Sequence, residues 1–126
     1  MFSVTSITVL AAQDFERKVF QLANEERRNR GLRELIWDDR LAAVARAHSV
    51  EMATNDTLAM NSQDITSRLQ RVGITRGWTG FVGTHSTPEA VMQAFLNPLL
   101  ETATHVGIGF DYTDGRTRVT LIFSNL

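Results

Sequence analysis

Apolar residues recur at helical spacing from early in the chain. Phe15, Val19, Leu22 and Ala23 fall at i, i+4, i+7 and i+8, one stripe on a 3.6-residue period. Asp14 reads as the N-cap of this helix, and Gly31, after Arg27, Arg28 and Arg30, reads as its end. Leu41, Ala45, His48 and Met52 mark a second helix, with Ala42 and Val44 beside the stripe. Asp38 or Asp39 caps it, Asn55-Asp56 stops it, and Ala42, Ala43, Ala45 and Ala47 make it thin enough to approach its neighbours closely. A shorter helix is expected over about residues 64–72, with Ile65, Leu69 and Val72 inward and Gly73 at its C-terminus. Residues 78–84 are glycine-spaced and strand-like. Thr87-Pro88-Glu89 opens a fourth helix: threonine is the N-cap, proline the first helical residue, and glutamate adds charge to the first turn. That helix buries Val91 and Phe95, with Met92 a further candidate, and stops near Asn97-Pro98.

The period then changes from helical to two. Val106, Ile108 and Phe110 alternate with Gly107, Gly109 and Asp111, while Val119, Leu121 and Phe123 alternate with Thr120, Ile122 and Ser124. Between them Asp114-Gly115 is a favoured two-residue hairpin turn. The glycines Gly107 and Gly109 read as room for a helix or another backbone to pack closely; a third glycine and a following helix, which a dinucleotide fingerprint requires, are absent. Helices, strand, helix and hairpin in that order predict an α+β domain, its helices packed on a small antiparallel sheet. The opening stretch FSVTSITVLAA is apolar and ends in small residues, like a signal peptide. It has no basic start, however, and Ser3, Thr5, Ser6 and Thr8 interrupt it. The pattern around Val4, Ile7 and Val9 favours a strand or ordered arm over residues 1–13, with the folded domain at 14–126.

At 126 residues the chain is of single-domain size, and 43% hydrophobic residues suffice for one core. Thirteen basic against fourteen acidic residues leave a net charge of −1, so no global field argues for an anionic membrane, and no nucleic-acid partner is expected. Arg27, Arg28, Arg30 and Arg33 read as a solvated face complementing the helix dipole. There is no cysteine, so disulfides, thiolate metal sites and cysteine nucleophiles are excluded. No apolar run approaches the roughly 18–20 residues of a membrane span.

An ordered series of motifs resembles the bacterial CAP/SCP-like (YkwD-type) family, which is related to cysteine-rich secretory, antigen 5 and pathogenesis-related 1 proteins. It comprises Ala23-Asn24-Glu25-Glu26-Arg27, Gly31-Leu32, Leu35-Ile36-Trp37-Asp38 and the stretch from Leu41-Ala42 to Ala47-His48. Arg68-Leu69 with Gly73, Thr87-Pro88-Glu89 with Val91, and Val106-Gly107-Ile108-Gly109 continue it over about residues 14–124. The resemblance implies an α-β-α sandwich with a shallow cleft over the sheet. In many members two histidines and two acidic residues line that cleft and sometimes hold a divalent metal. It also implies an extracellular or cell-envelope location.

Three of those polar positions are missing here. Leu58-Ala59-Met60-Asn61 stands where the family has a first histidine, and Gly77-Trp78-Thr79-Gly80-Phe81 stands where it has Gly-Glu-Asn. The Gly-His-Arg segment after the Thr-Pro-Glu helix has no counterpart, because Asn97-Pro98 runs almost directly into Leu99-Leu100-Glu101. Of the three histidines, His48 reads as a satisfied core residue, His85 as a turn residue bordering the cleft, and His105 as a strand end. Asn61, Thr79, His85, Glu101 and His105 are the cleft candidates. No nucleophile elbow surrounds Ser86, and Asp111 and Asp114 fit turn chemistry better than calcium. Trp37 reads as a core plug; Trp78 either fills the cleft, the preferred reading, or joins Phe81 and Leu99-Leu100 in an exposed patch. The expected function is non-catalytic, with no metal or cofactor: a binding or interaction module for a protein, a lipid or a small apolar ligand. The alternative is a metal-dependent or acid/base hydrolase with a rearranged cleft that uses His85, His105 and Glu101.

Overall fold

A computed structural model describes residues 4–95 and 101–126. The first element, α1 (Val4–Asn29), is one helix. It replaces the expected strand or arm over residues 4–13, and the boundary expected at residue 14 falls inside it. No glycine or proline interrupts this stretch, so helix once nucleated propagates through it. Asp14 is consequently not an N-cap; it is an exposed mid-helix residue paired with Arg17 at 3.2 Å. The far end follows expectation. Gly31 takes φ +73°, the Leu32 N–H bonds the Arg27 carbonyl at 2.8 Å, and the Gly31 N–H bonds the Arg28 carbonyl at 3.0 Å.

The arginine cluster divides. Arg28 pairs with Glu34, and Arg30 with Glu26, on the surface. Arg27 is the correction: only 2% exposed, it donates to the carbonyls of Arg33 at 2.6 Å and Ala103 at 3.3 Å. Burial lowers its pKa from the usual guanidinium value. The side chain is a strut between the helix end and the segment that enters the C-terminal hairpin. Asn24 does similar work one turn earlier, holding both the N–H and the carbonyl of Leu35.

Four strands follow: β1 (Ile36–Trp37), β2 (Trp78–Gly83), β3 (His105–Thr113) and β4 (Arg116–Ser124). Their order is β1-β3-β4-β2. The three long strands are antiparallel, and β1, inside the expected connector, adds a two-residue parallel edge against His105 and Val106. Asp114 and Gly115, at φ +52° and +77°, make the predicted hairpin turn. On one face α1 and α4 (Pro88–Ala94) pack Phe15, Val19, Ala23 and Val91 against Val106, Ile108, Val119, Leu121 and Phe123. On the other, α2 (Asp39–Asn55) and α3 (Ser62–Arg71) pack Leu41, Val44, Ala45, Ile65 and Leu69 against Ile122. The result is the expected α-β-α sandwich.

The two strand glycines set the depth of the second layer. A Cβ on Gly107 would collide with the backbone of Leu41 and Ala42, and one on Gly109 with that of Ala45 and Arg46. Helix α2 therefore lies directly on β3. Ser49 seals the contact, donating to the Gly109 carbonyl at 2.9 Å and bonding the Thr120 hydroxyl at 2.8 Å. Asp38 caps α2, accepting from the N–H groups of Arg40 at 2.8 Å and Leu41 at 3.0 Å. Burial alone would raise its pKa; the Arg40 guanidinium and these N–H donors outweigh that and hold it below the usual carboxylate value. Asn61 caps α3, Thr87 caps α4, and Gly73 at φ +85° ends α3.

Beyond the two residues that β1 covers, the outer edge of β3 meets a carboxylate. Glu16, 2% exposed, accepts the Phe110 N–H at 3.0 Å and binds the Arg46 guanidinium at 2.6 and 2.9 Å. The bond to Glu16 raises the Arg46 pKa against the desolvation that would lower it.

Single substitutions should expose this framework. Gly107→Ala should cost about 3 kcal/mol in urea unfolding, whereas Gly77→Ala, with open space around its Cβ position, should stay within about 0.5 kcal/mol. Glu16→Ala should cost roughly 2–3 kcal/mol by leaving the Phe110 N–H unpaired and Arg46 without its partner. Asp38→Ala should cost about 1 kcal/mol at neutral pH. Because folding depresses the Asp38 pKa, that difference is full above the unfolded value of about 4. It closes as pH falls through the lower folded value; equal penalties at pH 2 and pH 7 in thermal melts would contradict the assignment.

Candidate functional site

The segment leaving α2 is pinned before it reaches the sheet. Arg118, buried on β4, donates to the Thr57 carbonyl at 2.7 Å and to Asp56 at 3.1 Å, while Arg116 reaches the Ala53 carbonyl at 2.8 Å. His48 Nε2 lies 2.7 Å from the Ala59 carbonyl, so this nitrogen carries the proton and donates. The second ring nitrogen is buried without a partner among the described residues, so His48 is a half-satisfied core histidine that holds the chain just ahead of Met60. Nothing in sequence spacing marks these contacts, which join residues 11 to 63 positions apart.

Met60 arrives beside the start of β2. A Cβ on Gly80 would collide with the Met60 thioether and the Trp78 ring, so this glycine makes the room for both. Trp78 packs half-buried against the α2–α3 core cluster and donates its indole N–H to Thr66 Oγ1 at 2.9 Å. Met60, Ser62, Thr66, Trp78, Thr79 and Gly80 enclose a cleft of about 450 Å³. The two stretches set against the family's first histidine and its acid thus meet in one place. What they bring there is a thioether, hydroxyls and an indole.

The candidate residues separate into roles. Asn61 is exposed and uses its side-chain oxygen to accept the Asp64 N–H at 3.0 Å. Thr79 is exposed on β2 and lines the cleft. His85 lies in the loop before α4, edge-on to Phe95 with ring centroids 5.6 Å apart, its Nδ1 buried without a hydrogen-bond partner among the described residues. Glu101 is an exposed turn residue. His105 opens β3, its Nδ1 2.7 Å from the Thr104 hydroxyl.

Strand register keeps the histidines apart. Gly83, two residues before His85, sits opposite Val119, and His105 sits opposite Ser124. Between those two positions β4 advances roughly 17 Å at about 3.3 Å per residue. His85 and His105 therefore lie toward opposite ends of the sheet, and Glu101 is not placed to bridge them. Among the described residues no three of His, Cys, Asp and Glu group closely enough to hold a metal ion. The cleft lining does not fit the divalent metal that the resemblance implies, since it offers no imidazole or carboxylate ligand.

The aromatic patch also separates. Trp78 faces the α2–α3 layer, while Phe81 lies in the opposite core against Phe95 and Phe123 at 5.5 and 6.0 Å. Trp78 thus lines the cleft on the face of the sheet opposite Phe81; Leu99, Leu100 and the expected stop at Asn97-Pro98 lie outside the described residues. Trp37, read as a core plug, is half-buried edge-on to Phe20 at 5.4 Å. With Gln13, Glu16, Arg17, Phe20 and Arg46 it lines a second cleft of about 430 Å³ whose carboxylate is already taken by Arg46 and Phe110.

Comparison with known proteins agrees with the architecture. Residues 20–123 match the model of the CAP, or cysteine-rich secretory protein, family. The uncharacterized protein YkwD of Bacillus subtilis is 31% identical over 108 residues, covering 76% of this chain and 42% of that protein. An extracellular protein containing an SCP domain from Bacillus anthracis superposes with a TM-score of 0.84 at 25% identity, covering all of this chain and 45% of that one. An outer surface protein of Borrelia burgdorferi superposes at 0.79 with 17% identity, covering 88% and 92% of the two chains. The chain spans less than half the length of both Bacillus proteins. On its fold and its motif series alike, this cysteine-free chain belongs to the CAP (cysteine-rich secretory protein) family.

Proposed function

We propose that this is a CAP domain whose cleft has lost its acid/base and metal chemistry and that acts as a binding module. One observation carries the reading: the segment around Met60 and the start of β2 meet in a cleft lined by thioether, hydroxyl and indole groups. A hydroxyl becomes a nucleophile only beside a base that takes its proton. Here the hydroxyl of Thr66 accepts from an indole, and no imidazole or carboxylate lines the cleft. Such a surface binds through shape, apolar contact and neutral hydrogen bonds. The strand register, which sets His85 and His105 toward different ends of β4, supports this reading over a rearranged hydrolase.

The occupant on this reading is an uncharged protein segment, a lipid or a small apolar ligand, and the net charge of −1 gives no pull toward nucleic acid. The setting is extracellular or at the cell envelope. The Bacillus anthracis structure is of an extracellular protein and the Borrelia structure of an outer surface protein, which supports that placement. Among the described residues no helix is long and apolar enough to cross a membrane.

Calorimetric titration of zinc into the protein should give no stoichiometric heat, and a panel of ester, phosphoester and peptide substrates should show no turnover. Tight one-to-one zinc binding, abolished by His85→Ala or His105→Ala, would overturn the proposal. So would turnover that His85→Ala removes.

A further inference from the structure

The hydrogen-bonding pattern of the sheet shows which groups β2 presents outward. Asp114-Gly115 closes the hairpin at Thr113 opposite Arg116, and in a two-residue hairpin that closing pair exchanges both backbone bonds. Counting along β4 in twos, Arg118, Thr120, Ile122 and Ser124 bond toward β3, which leaves Val119, Leu121 and Phe123 to bond toward β2. Their partners Gly83, Phe81 and Thr79 point inward. Trp78, Gly80 and Val82 therefore turn their N–H and C=O groups to the outer edge. The same parity predicts that the Val106 carbonyl and the Phe110 N–H face outward from β3. Both do, meeting the Asp38 N–H and the Glu16 carboxylate at 3.0 Å each.

The two edges of the sheet are treated differently. Along β3, a short strand and a buried carboxylate meet the outward Val106 carbonyl and Phe110 N–H. Along β2, no hydrogen bond from the described residues reaches the outward groups of Trp78, Gly80 and Val82. The strand reads WTGFVG, without a charge or a proline, the residues that proteins use to keep an edge from pairing. Beside this edge lies the cleft of Met60, Ser62, Thr66 and Trp78, which is likewise uncharged.

We propose that β2 accepts an extended polypeptide with uncharged side chains as an added strand, its alternate side chains entering the cleft beside Trp78. This rests on the binding-module reading and names the class of ligand. The complementarity is specific. Three outward residues offer alternating donors and acceptors at every second position, a spacing that an extended backbone matches and a lipid or compact ligand does not. Ionised side chains are disfavoured because neither the strand nor the cleft lining carries a countercharge for them.

The test is a titration of a capped, alternating valine–threonine hexapeptide into the ¹⁵N-labelled protein, followed by amide chemical shifts. Saturable shifts at Trp78, Gly80 and Val82 are expected. The same peptide N-methylated at every residue should bind at least about tenfold more weakly, since it has no backbone donors. Val82→Pro removes an outward N–H without touching the β4 ladder and should weaken the parent peptide several-fold. Unchanged β3–β4 shifts in Val82→Pro show that the fold is kept, and the N-methylated peptide tests the idea independently of that variant. Absence of shifts at these amides at millimolar peptide would overturn the proposal. Equal binding of the N-methylated peptide would overturn strand addition while leaving a binding cleft intact. Concentration-dependent dimerisation that shifts the same amides without peptide would assign the edge to a second copy of the chain instead.

Discussion

The close approach of α2 to β3 is the constraint on which the rest of the structure depends. Two strand glycines and the small face formed by Ala42, Ala45 and Ser49 let a helix backbone rest on a strand backbone. Once α2 is fixed there, its start receives the Asp38 cap beside β1 and its end is delivered to Arg116 and Arg118 on β4. His48 then sets Ala59, and the chain reaches Met60 in position to meet β2. The cleft is thus built by the tight packing of a layer whose interface lies elsewhere. Close-packed interiors transmit such displacements, so one methyl group at Gly107 would be felt at the cleft.

The buried polar side chains act as fasteners. Glu16, Asn24, Arg27 and Arg118 each satisfy backbone groups outside the helices and strand ladders: a strand-edge N–H, the connector at Leu35, the carbonyls of Arg33 and Ala103, and a loop carbonyl; Ser49 adds a bond to a strand carbonyl. Such groups are costly to bury unless paired, and here the pairing is with the main chain. That usage accounts for polar residues that would otherwise suggest chemistry. It also leaves β2 as a place in the sheet where, among the described residues, outward backbone groups and an open cleft coincide without a fastener.

The family resemblance and the geometry carry different kinds of information. Motif order identifies the scaffold, and the scaffold supports many activities. Whether acid/base or metal chemistry is available depends on which side chains converge. At the cleft the converging groups are uncharged, and His85 and His105 lie toward opposite ends of the sheet.

Much of the fold was legible in the sequence because it is written in local patterns. The stripe of Phe15, Val19 and Ala23, the Asp38 and Thr87 caps, the Gly31 and Gly73 stops, the Asp114-Gly115 turn and the period-two hairpin each act within a few residues of where they stand. The motif series identified the family for the same reason. What tertiary structure alone decided is everything that joins distant positions. Arg27 is a buried strut because its carbonyl partners include Ala103, 76 residues away. Glu16 is an edge cap because Phe110 lies 94 residues on. The helical path of residues 4–13 was not legible either, since interspersed serines and threonines weaken the apolar pattern without breaking a helix. Whether His85 meets His105 was a question of register, and register is fixed by the pairing of whole strands rather than by any spacing along the chain.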